Sequence, residues 1–509
     1  MENTQRPTIE SLFSTGGRPA GSKGTIKIID TTLRDAHQSL WATRMTTRHI
    51  TSILESYQRA NFHQVDLMAT IQFDVPVRYL KEDPWERVRR VRAGAPGIPL
   101  RSLIRSKNIA AFDFLADDII DTWVERLYAN GLDVIGSFDG LNDVDNIAPG
   151  LRKAKSVGAY TFGALSFCES PLHTDQHYMD TARALIDKAD VNSIMIKDAG
   201  GLLTPDRVRT LVPALKSVIG DRPLEMHSHC LTGLAPLVYL EAAELGCDRL
   251  HTSIAPLANG AGQPATQSIV HSLRDLGYQV EVNDQAVDEI SQHFADIARR
   301  ERKPVGVPVE YNAAHYKHQL PGGMLSNYRA QLEAAGLSDK FEALLEEIAR
   351  VRSELAWPIM ITPFSQFVGT QAVMNVISGE RYAHVPNEIK KYVLGYYGRL
   401  LGPVDPDVFD RIVENGSSDI KLEPEPIPAM LPDLRRRHPD ASEDELMLRV
   451  MFAGNQVDEM QEAVAAGRGG REGGGDLLSL VKTLYDKEKG AGKSRISLQG
   501  THFNIRIER

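Results

Sequence analysis

The sequence predicts an α/β fold: a (β/α)8 TIM barrel, then a mainly helical region, then a short tethered element at the C-terminus. Three observations carry this. Between residues 25 and 284, eight short apolar, β-branched runs alternate with stretches of helical spacing, the pattern of parallel βαβ units. Charged and polar residues crowd the ends of several of these runs, and in a barrel the C-terminal strand ends build the active site. From about residue 285 the strand signal stops and helical periodicity continues alone. An open doubly wound sheet is the competing arrangement, but no glycine-rich phosphate loop accompanies it.

Composition narrows the function. A chain of 509 residues with 42% hydrophobic content is too long for one ordinary domain. A net charge of -9 gives no electrostatic footprint for nucleic acid. Cys168, Cys230 and Cys247 are spaced unlike a disulfide framework or a zinc ribbon and fit a reducing compartment. With no signal core and no long apolar run, the expectation is a soluble, cytoplasmic protein without a membrane span.

Residues 1–24 are polar and turn-rich and read as an N-terminal arm. The first strand, 26–31, runs straight into Thr32, Arg34, Asp35, His37 and Gln38. For Arg34-Asp35 the competing reading is a helix N-terminus capped by the aspartate. The other strands are predicted at 64–69, 100–104, 133–137, 160–166, 193–196, 224–227 and 249–253. Helical patterning covers 47–59, 85–92, 119–129, 178–189, 205–219 and 234–245. Residues 25–284 therefore form the barrel. Residues 285–465 form a helical region beside its mouth, with helices at 288–300, 325–335, 340–355, 366–378 and 387–400. Pro424, Pro426, Pro428 and Pro432 mark a plausible boundary. Residues 466–475, AGRGGREGGG, read as a flexible linker. Residues 476–509 read as a docking element: Leu477, Leu478, Val481 and Leu484 fall at helical spacing, while Ile496, Leu498, Phe503, Ile505 and Ile507 alternate as in a strand.

His227-Ser228-His229 lies at the end of the seventh strand, where residues i and i+2 share a face, so both imidazoles can converge on one ion. Asp35, at the end of the first strand, comes near once the barrel closes. Two imidazoles and a carboxylate suit a divalent transition ion such as Zn²⁺, Mn²⁺ or Co²⁺. Lys197 ends the sixth strand, and a buried lysine is costly unless paired or modified. Carbamylation by CO2 makes it an anionic ligand. The competing reading is an ion pair with Asp198 or Asp35.

RDAHQS, KDAGGLL, HSHCLTG, HQLPGGMLSN and TPFSQFVGTQAVMNV, in this order, resemble the biotin-dependent carboxyltransferase family. That family includes the carboxyltransferase part of pyruvate carboxylase, the α subunit of oxaloacetate decarboxylase and the metal-bearing transcarboxylase subunit. The likeness runs from about residue 25 to 430. It implies Asp35, Lys197 as its carbamate, His227 and His229 as metal ligands. It implies that Arg34, Gln38 and Arg105 hold the acceptor, that Ser365 and Gln366 contact biotin, and that the Thr362 hydroxyl shuttles a proton between acceptor and biotin. For Thr362 the plainer role is a helix N-cap before Pro363. The implied reaction is release of CO2 from carboxybiotin at the barrel mouth, followed by attack of a metal-stabilised enolate.

Departures cluster where the acceptor should sit. The family's WGGATFD reads Met68-Ala69-Thr70-Ile71-Gln72-Phe73-Asp74, and its FRVFD reads Ile135-Gly136-Ser137-Phe138-Asp139. Phe112 replaces a tyrosine, Arg105-Ser106-Lys107-Asn108 replaces Arg-Gly-x-Asn, and His251 stands for an aspartate. The expectation is a widened, less cationic pocket whose acceptor is not pyruvate. No biotinyl AMKM motif occurs, so biotin is expected on a separate carrier subunit, with a biotin carboxylase as further partner and a homo-oligomeric arrangement. A biotin-independent metal lyase or decarboxylase of the same superfamily and a non-catalytic assembly subunit are the alternatives.

Overall fold

The computed structural model describes residues 23–470, except 110, 112, 321–323, 325–327, 330–331, 334–336 and 453, together with the backbone of 495–500 and 503–508. Eight strands close a barrel in chain order: β1 Lys27–Asp30, β2 Gln64–Ala69, β3 Leu100–Arg105, β4 Val134–Phe138, β5 Tyr160–Ser166, β6 Ser193–Asp198, β7 Leu224–Ser228 and β8 Arg249–Thr252. All are parallel, and β8 closes on β1 through the pair Ile29 and His251. Burial on both faces explains why these strands read as apolar runs; all seven residues of β5 are buried. The helices that follow begin on side-chain caps, among them Asp83, Asp143, Thr174 and Thr204. Thr204 accepts the Arg207 amide at 3.1 Å ahead of Pro205 at the first helical position.

Besides a small cluster inside the barrel around Leu103, Tyr160, Phe162 and Met195, two cores organise the described residues. The larger joins the strands to the surrounding helices. It takes in the helix Asp284–Glu301 through Val287, Ile290 and Phe294, although that helix lies beyond the barrel in the sequence division. The smaller is built by residues 320–412, from Leu320, Leu344, Ile348, Val368 and Ile412, together with Leu141 from the segment after β4. Residues 421–429 then cross the surface exposed, and the chain returns to the barrel, where Leu431, Leu434, Leu446, Met447 and Met460 join the larger core. Asp444 fixes this return, accepting from Arg126 at 2.7 Å and Arg89 at 3.0 Å while its carbonyl accepts from the Trp85 indole at 3.0 Å.

The second core sits on the segments leaving β4, β5 and β6. Asn146 donates to the Tyr397 carbonyl at 3.1 Å, and the Arg399 amide donates to Asp143 at 2.7 Å. Gln319 and Arg352 both donate to the Glu169 carbonyl, and His315 donates to the Gly200 carbonyl at 2.8 Å. These contacts put it over the C-terminal face of the barrel.

Several helices differ from their sequence bounds. Residues 47–59 split into Thr47–Thr51 and Leu54–Ala60. The predicted 387–400 helix ends at Val393, because Gly395 and Gly398 adopt positive φ. Most of 325–335 and the docking helix lie outside the described residues. The linker begins packed rather than free: the Gly470 amide donates to the Leu80 carbonyl at 2.9 Å. Beyond it, Arg495–Gly500 (β9) and Phe503–Glu508 (β10) form an antiparallel hairpin that pairs Ile496 with Ile507 and Leu498 with Ile505. No helix of the described residues is long and apolar enough to cross a membrane. All three cysteines are buried and unbridged.

Candidate active site at the barrel mouth

The chain leaves β1 through a π-helical turn, Thr32–Ala36, a geometry often found at functional sites. The turn makes no side-chain cap, so Asp35 is not the capping residue that was the competing reading. Its carboxylate instead faces the end of β7, with Oδ2 2.8 Å from His227 Nε2 and 3.3 Å from His229 Nε2. The two imidazole nitrogens are 3.4 Å apart. Asp35, His227 and His229 are the group of buried potential ligands that could hold a metal among the described residues.

The hydrogen bonding explains why these atoms need a cation. The Ala261 carbonyl lies 2.6 Å from His229 Nδ1 and can only accept, so that nitrogen carries the proton and Nε2 presents a lone pair to Asp35. Gln263 reaches in from the loop after β8. Its Oε1 accepts from Thr31 at 2.8 Å and Ser253 at 3.0 Å, which turns Nε2 toward Asp35 Oδ2 (3.1 Å), His229 Nε2 (3.1 Å) and His227 Nε2 (3.4 Å). One amide thus serves several acceptors in a buried site, a donor set that fits a divalent transition ion.

Lys197 on β6 is the direct pairing partner of His227 on β7. Its ammonium is buried and forms no ion pair with a described residue; its described neighbour is the Phe138 ring, 5.6 Å away. Asp198, offered as its partner, spends its carboxylate on the Leu202 and Leu203 amides and the Ser228 hydroxyl. Burial pushes the Lys197 amine below its ordinary range, with Asp35 opposing. Asp35 itself, despite burial that would raise it, is held well below the usual carboxylate range by the Arg34 guanidinium beside it.

Arg34 bridges carboxylates, with Nη2 2.6 Å and Nε 2.7 Å from Asp66 Oδ2 and Nη1 3.2 Å from Asp35 Oδ1. Two of its five N–H donors stay available. Gln72 supports this turn by donating to the Arg34 carbonyl at 3.0 Å. Gln38 is half-buried and its Oε1 has no partner among the described residues. Arg105 ends β3 and donates to the Ala111 carbonyl; burial lowers its guanidinium to about 10, with Asp139 opposing.

Thr362, Ser365 and Gln366 lie where the chain passes from the barrel's core, at Ile361, to the second core, at Phe364, and make no described contact with Asp35, His227 or His229. Thr362 is exposed and does not cap the helix Phe364–Ser378, whose N-cap is Pro363. It is nevertheless anchored on both sides. Ile359 and Ile361 join the barrel's core, and Phe364 packs on Gly140 so closely that a Cβ there would stand 2.3 Å from its ring. Ser365 is buried with its hydroxyl unpartnered among the described residues, and Gln366 is exposed.

The acceptor-side departures turn out differently from the expectation. Gly136 opens no space, because a Cβ there would stand 1.9 Å from Phe162 Cζ. That ring carries the Arg101 guanidinium at 3.5 Å. The charge missing at position 136 is not restored, since Arg101 is fully buried and paired with Glu225. Met68 is buried in the core, and Phe112 lies outside the described residues. Sequence reasoning missed Gln263, Asp66 and Glu225. For Asp66 and Glu225 a signal existed, a charged residue inside an apolar strand; Gln263, in a glycine-containing loop, had none.

Comparison with known proteins agrees with this architecture. Residues 316–494 match the conserved carboxylase domain family and residues 144–293 the HMGL-like family. A pyruvate carboxylase subunit of Methanocaldococcus jannaschii is 41% identical over 78% of this chain and 70% of that protein. The methylmalonyl-CoA carboxyltransferase 5S subunit of Propionibacterium freudenreichii subsp. shermanii is 33% identical over 82% of each. The carboxyl transferase domain of Rhizobium etli pyruvate carboxylase superposes with a TM-score of 0.81 at 24% identity, over 92% of this chain and 83% of that one, a likeness of fold. With the eight-stranded barrel, its helical cap and these relatives in view, the chain belongs to the biotin-dependent carboxyltransferase family.

Proposed function

We propose that this chain is the carboxyltransferase subunit of a multi-subunit biotin-dependent carboxylase, moving a carboxyl group between carboxybiotin and a small acceptor acid. The observation that carries the reading is the convergence of Asp35, His227 and His229 on one point at the barrel mouth, beside Lys197 and Arg34. These three and Lys197 as its carbamate would hold a divalent transition ion, which would supply Lewis-acid stabilisation of negative charge developing on the acceptor. The lowered affinity of Lys197 for a proton favours the neutral amine, the form that adds CO2.

The chain's own residues divide the remaining work. Arg34, fixed by Asp66, keeps two donors for an acceptor oxygen, and Gln38, just past the same turn, and Arg105, at the C-terminal end of β3, are the further candidates to hold it. Thr362 both donates and accepts, which fits it to carry a proton between the acceptor's α-carbon and the biotin ureido group. Anchoring on Ile359, Ile361 and Phe364 fixes its backbone while leaving the hydroxyl open to solvent. Ser365 and Gln366, in the next turn, are the candidate biotin contacts. Biotin arrives on a carrier subunit charged by a biotin carboxylase, in keeping with relatives that are themselves named as subunits. The buried Gly136 supports an acceptor other than pyruvate through lost charge rather than added volume.

The metal assignment is tested by elemental analysis of the purified chain. About one divalent transition ion per chain is expected, as for a ligand set of this kind, and the His227→Ala/His229→Ala double variant should lose it. A metal-free wild type, or full retention by the double variant, overturns the assignment.

A further inference from the structure

We propose that His251 is a positioning residue that relays Glu225 to His227 and so fixes the ring tautomer His227 needs to bind a metal. This rests on Asp35, His227 and His229 being the metal site. Directly beneath that cluster the barrel interior holds a closed polar layer. Glu225 of β7 is fully buried, with Oε2 2.7 Å from Arg101 Nη2 of β3 and Oε1 3.2 Å from Arg249 Nη1 of β8. Its Oε1 also accepts from the Ser193 hydroxyl at 2.7 Å, and Arg249 donates onward to the Tyr160 hydroxyl at 3.0 Å.

Chemistry fixes the direction of every bond in the relay. Two guanidinium groups and a hydroxyl hold Glu225 as a carboxylate, which only accepts. His251 Nε2, 3.1 Å from Glu225 Oε2, therefore carries a proton. Arg101 and Arg249 already neutralise Glu225, so His251 sits there as the neutral ring and its Nδ1 is a lone pair. His227 Nδ1 lies 3.2 Å from that lone pair and must be the donor. The other nitrogen of His227, Nε2, is then unprotonated and faces Asp35 and His229. His229 reaches the same state through the Ala261 carbonyl. His227, deeper in the barrel, reaches it, among the described residues, through the side chain of His251. An aspartate at this position would accept from His227, but it would set a second carboxylate against Glu225. An imidazole accepts on one side and donates on the other.

The test uses the full-length apo chain, titrated with Co²⁺ against a competing chelator. His251→Phe keeps a ring of similar size but no acceptor and should weaken Co²⁺ binding about 10–100-fold, the usual loss when a ligand's outer partner is removed. His251→Asn places an amide oxygen where Nδ1 stood and should recover most of that loss. If the phenylalanine variant does not fold, His251→Gln takes its place, since its amide reaches toward Glu225 and leaves His227 without an acceptor. In parallel, imidazole ¹⁵N spectra of the apo chain, assigned by the signal lost in His227→Ala, should report His227 protonated at Nδ1. Unchanged Co²⁺ affinity in His251→Phe, equal loss in the phenylalanine and asparagine variants, or a His227 protonated at Nε2 overturns the relay while leaving the metal site standing. A wild-type chain that binds no Co²⁺ overturns both.

Discussion

His227 and His229 were legible from the sequence because a strand alternates its faces, so an HxH pair at a strand end has to converge. Asp35 was legible as the acid in the polar cluster that the chain enters directly after β1. What completes these ligands was not, since the Ala261 carbonyl and the Gln263 amide come from an irregular loop whose path no periodicity predicts. Thr362 shows the same limit: the motif singles it out, but its exposure between two buried anchors emerges only from tertiary packing. If that hydroxyl moves the proton, Thr362→Ala should lower carboxyl transfer by about 10²–10⁴, the range for a positioned acid–base group. Metal content should not change, and Thr362→Ser should regain most of the rate. Equal activity in wild type and Thr362→Ala, measured as product per metal-loaded chain, refutes the role.

At the level of elements, the eight strands and their crossover helices were read with small errors at the ends, since parallel strands buried on both faces and capped helices leave strong local signals. The helices at 431–465 were less visible. They follow an exposed proline-rich crossing, and what holds them on the barrel is the long-range network of Asp444 with Arg89, Arg126 and Trp85. Gly136 on β4 is the sharpest case of a residue whose meaning depends on a neighbour. Read alone it widens a pocket; in the barrel it makes room for Phe162, which is held under Arg101. Gly136→Ala should therefore destabilise the chain by about 1–3 kcal/mol, as overpacking of a tight core does. Chemical denaturation checks this, and an unchanged midpoint would mean that the Phe162 ring moves aside freely.

For the molecule as a whole, the division of labour follows from two cores. The barrel carries the candidate ligands and Thr362 lies at the junction with the second core, the two being joined through the segments after β4, β5 and β6. Past residue 475 lies the hairpin of β9 and β10, and two strands are too few to be stable alone. If this element captures the carrier or carboxylase subunit, truncation after Gly475 should leave a metal-loaded barrel that still exchanges carboxyl with free biotin but no longer co-elutes with its partners. Normal assembly of the truncated chain refutes the docking role. Carboxyl transfer at this barrel mouth is itself open to a single-turnover experiment that follows the label. A biotinylated carrier charged with ¹⁴C-bicarbonate is mixed with the metal-loaded chain and a panel of small acids that includes pyruvate. The ¹⁴C is expected to pass into an acid-stable product with one acceptor other than pyruvate, and only when Thr362 and the three metal ligands are intact. Label that stays on the carrier with every acceptor, or moves equally well with the His227→Ala/His229→Ala variant, contradicts transfer at this site.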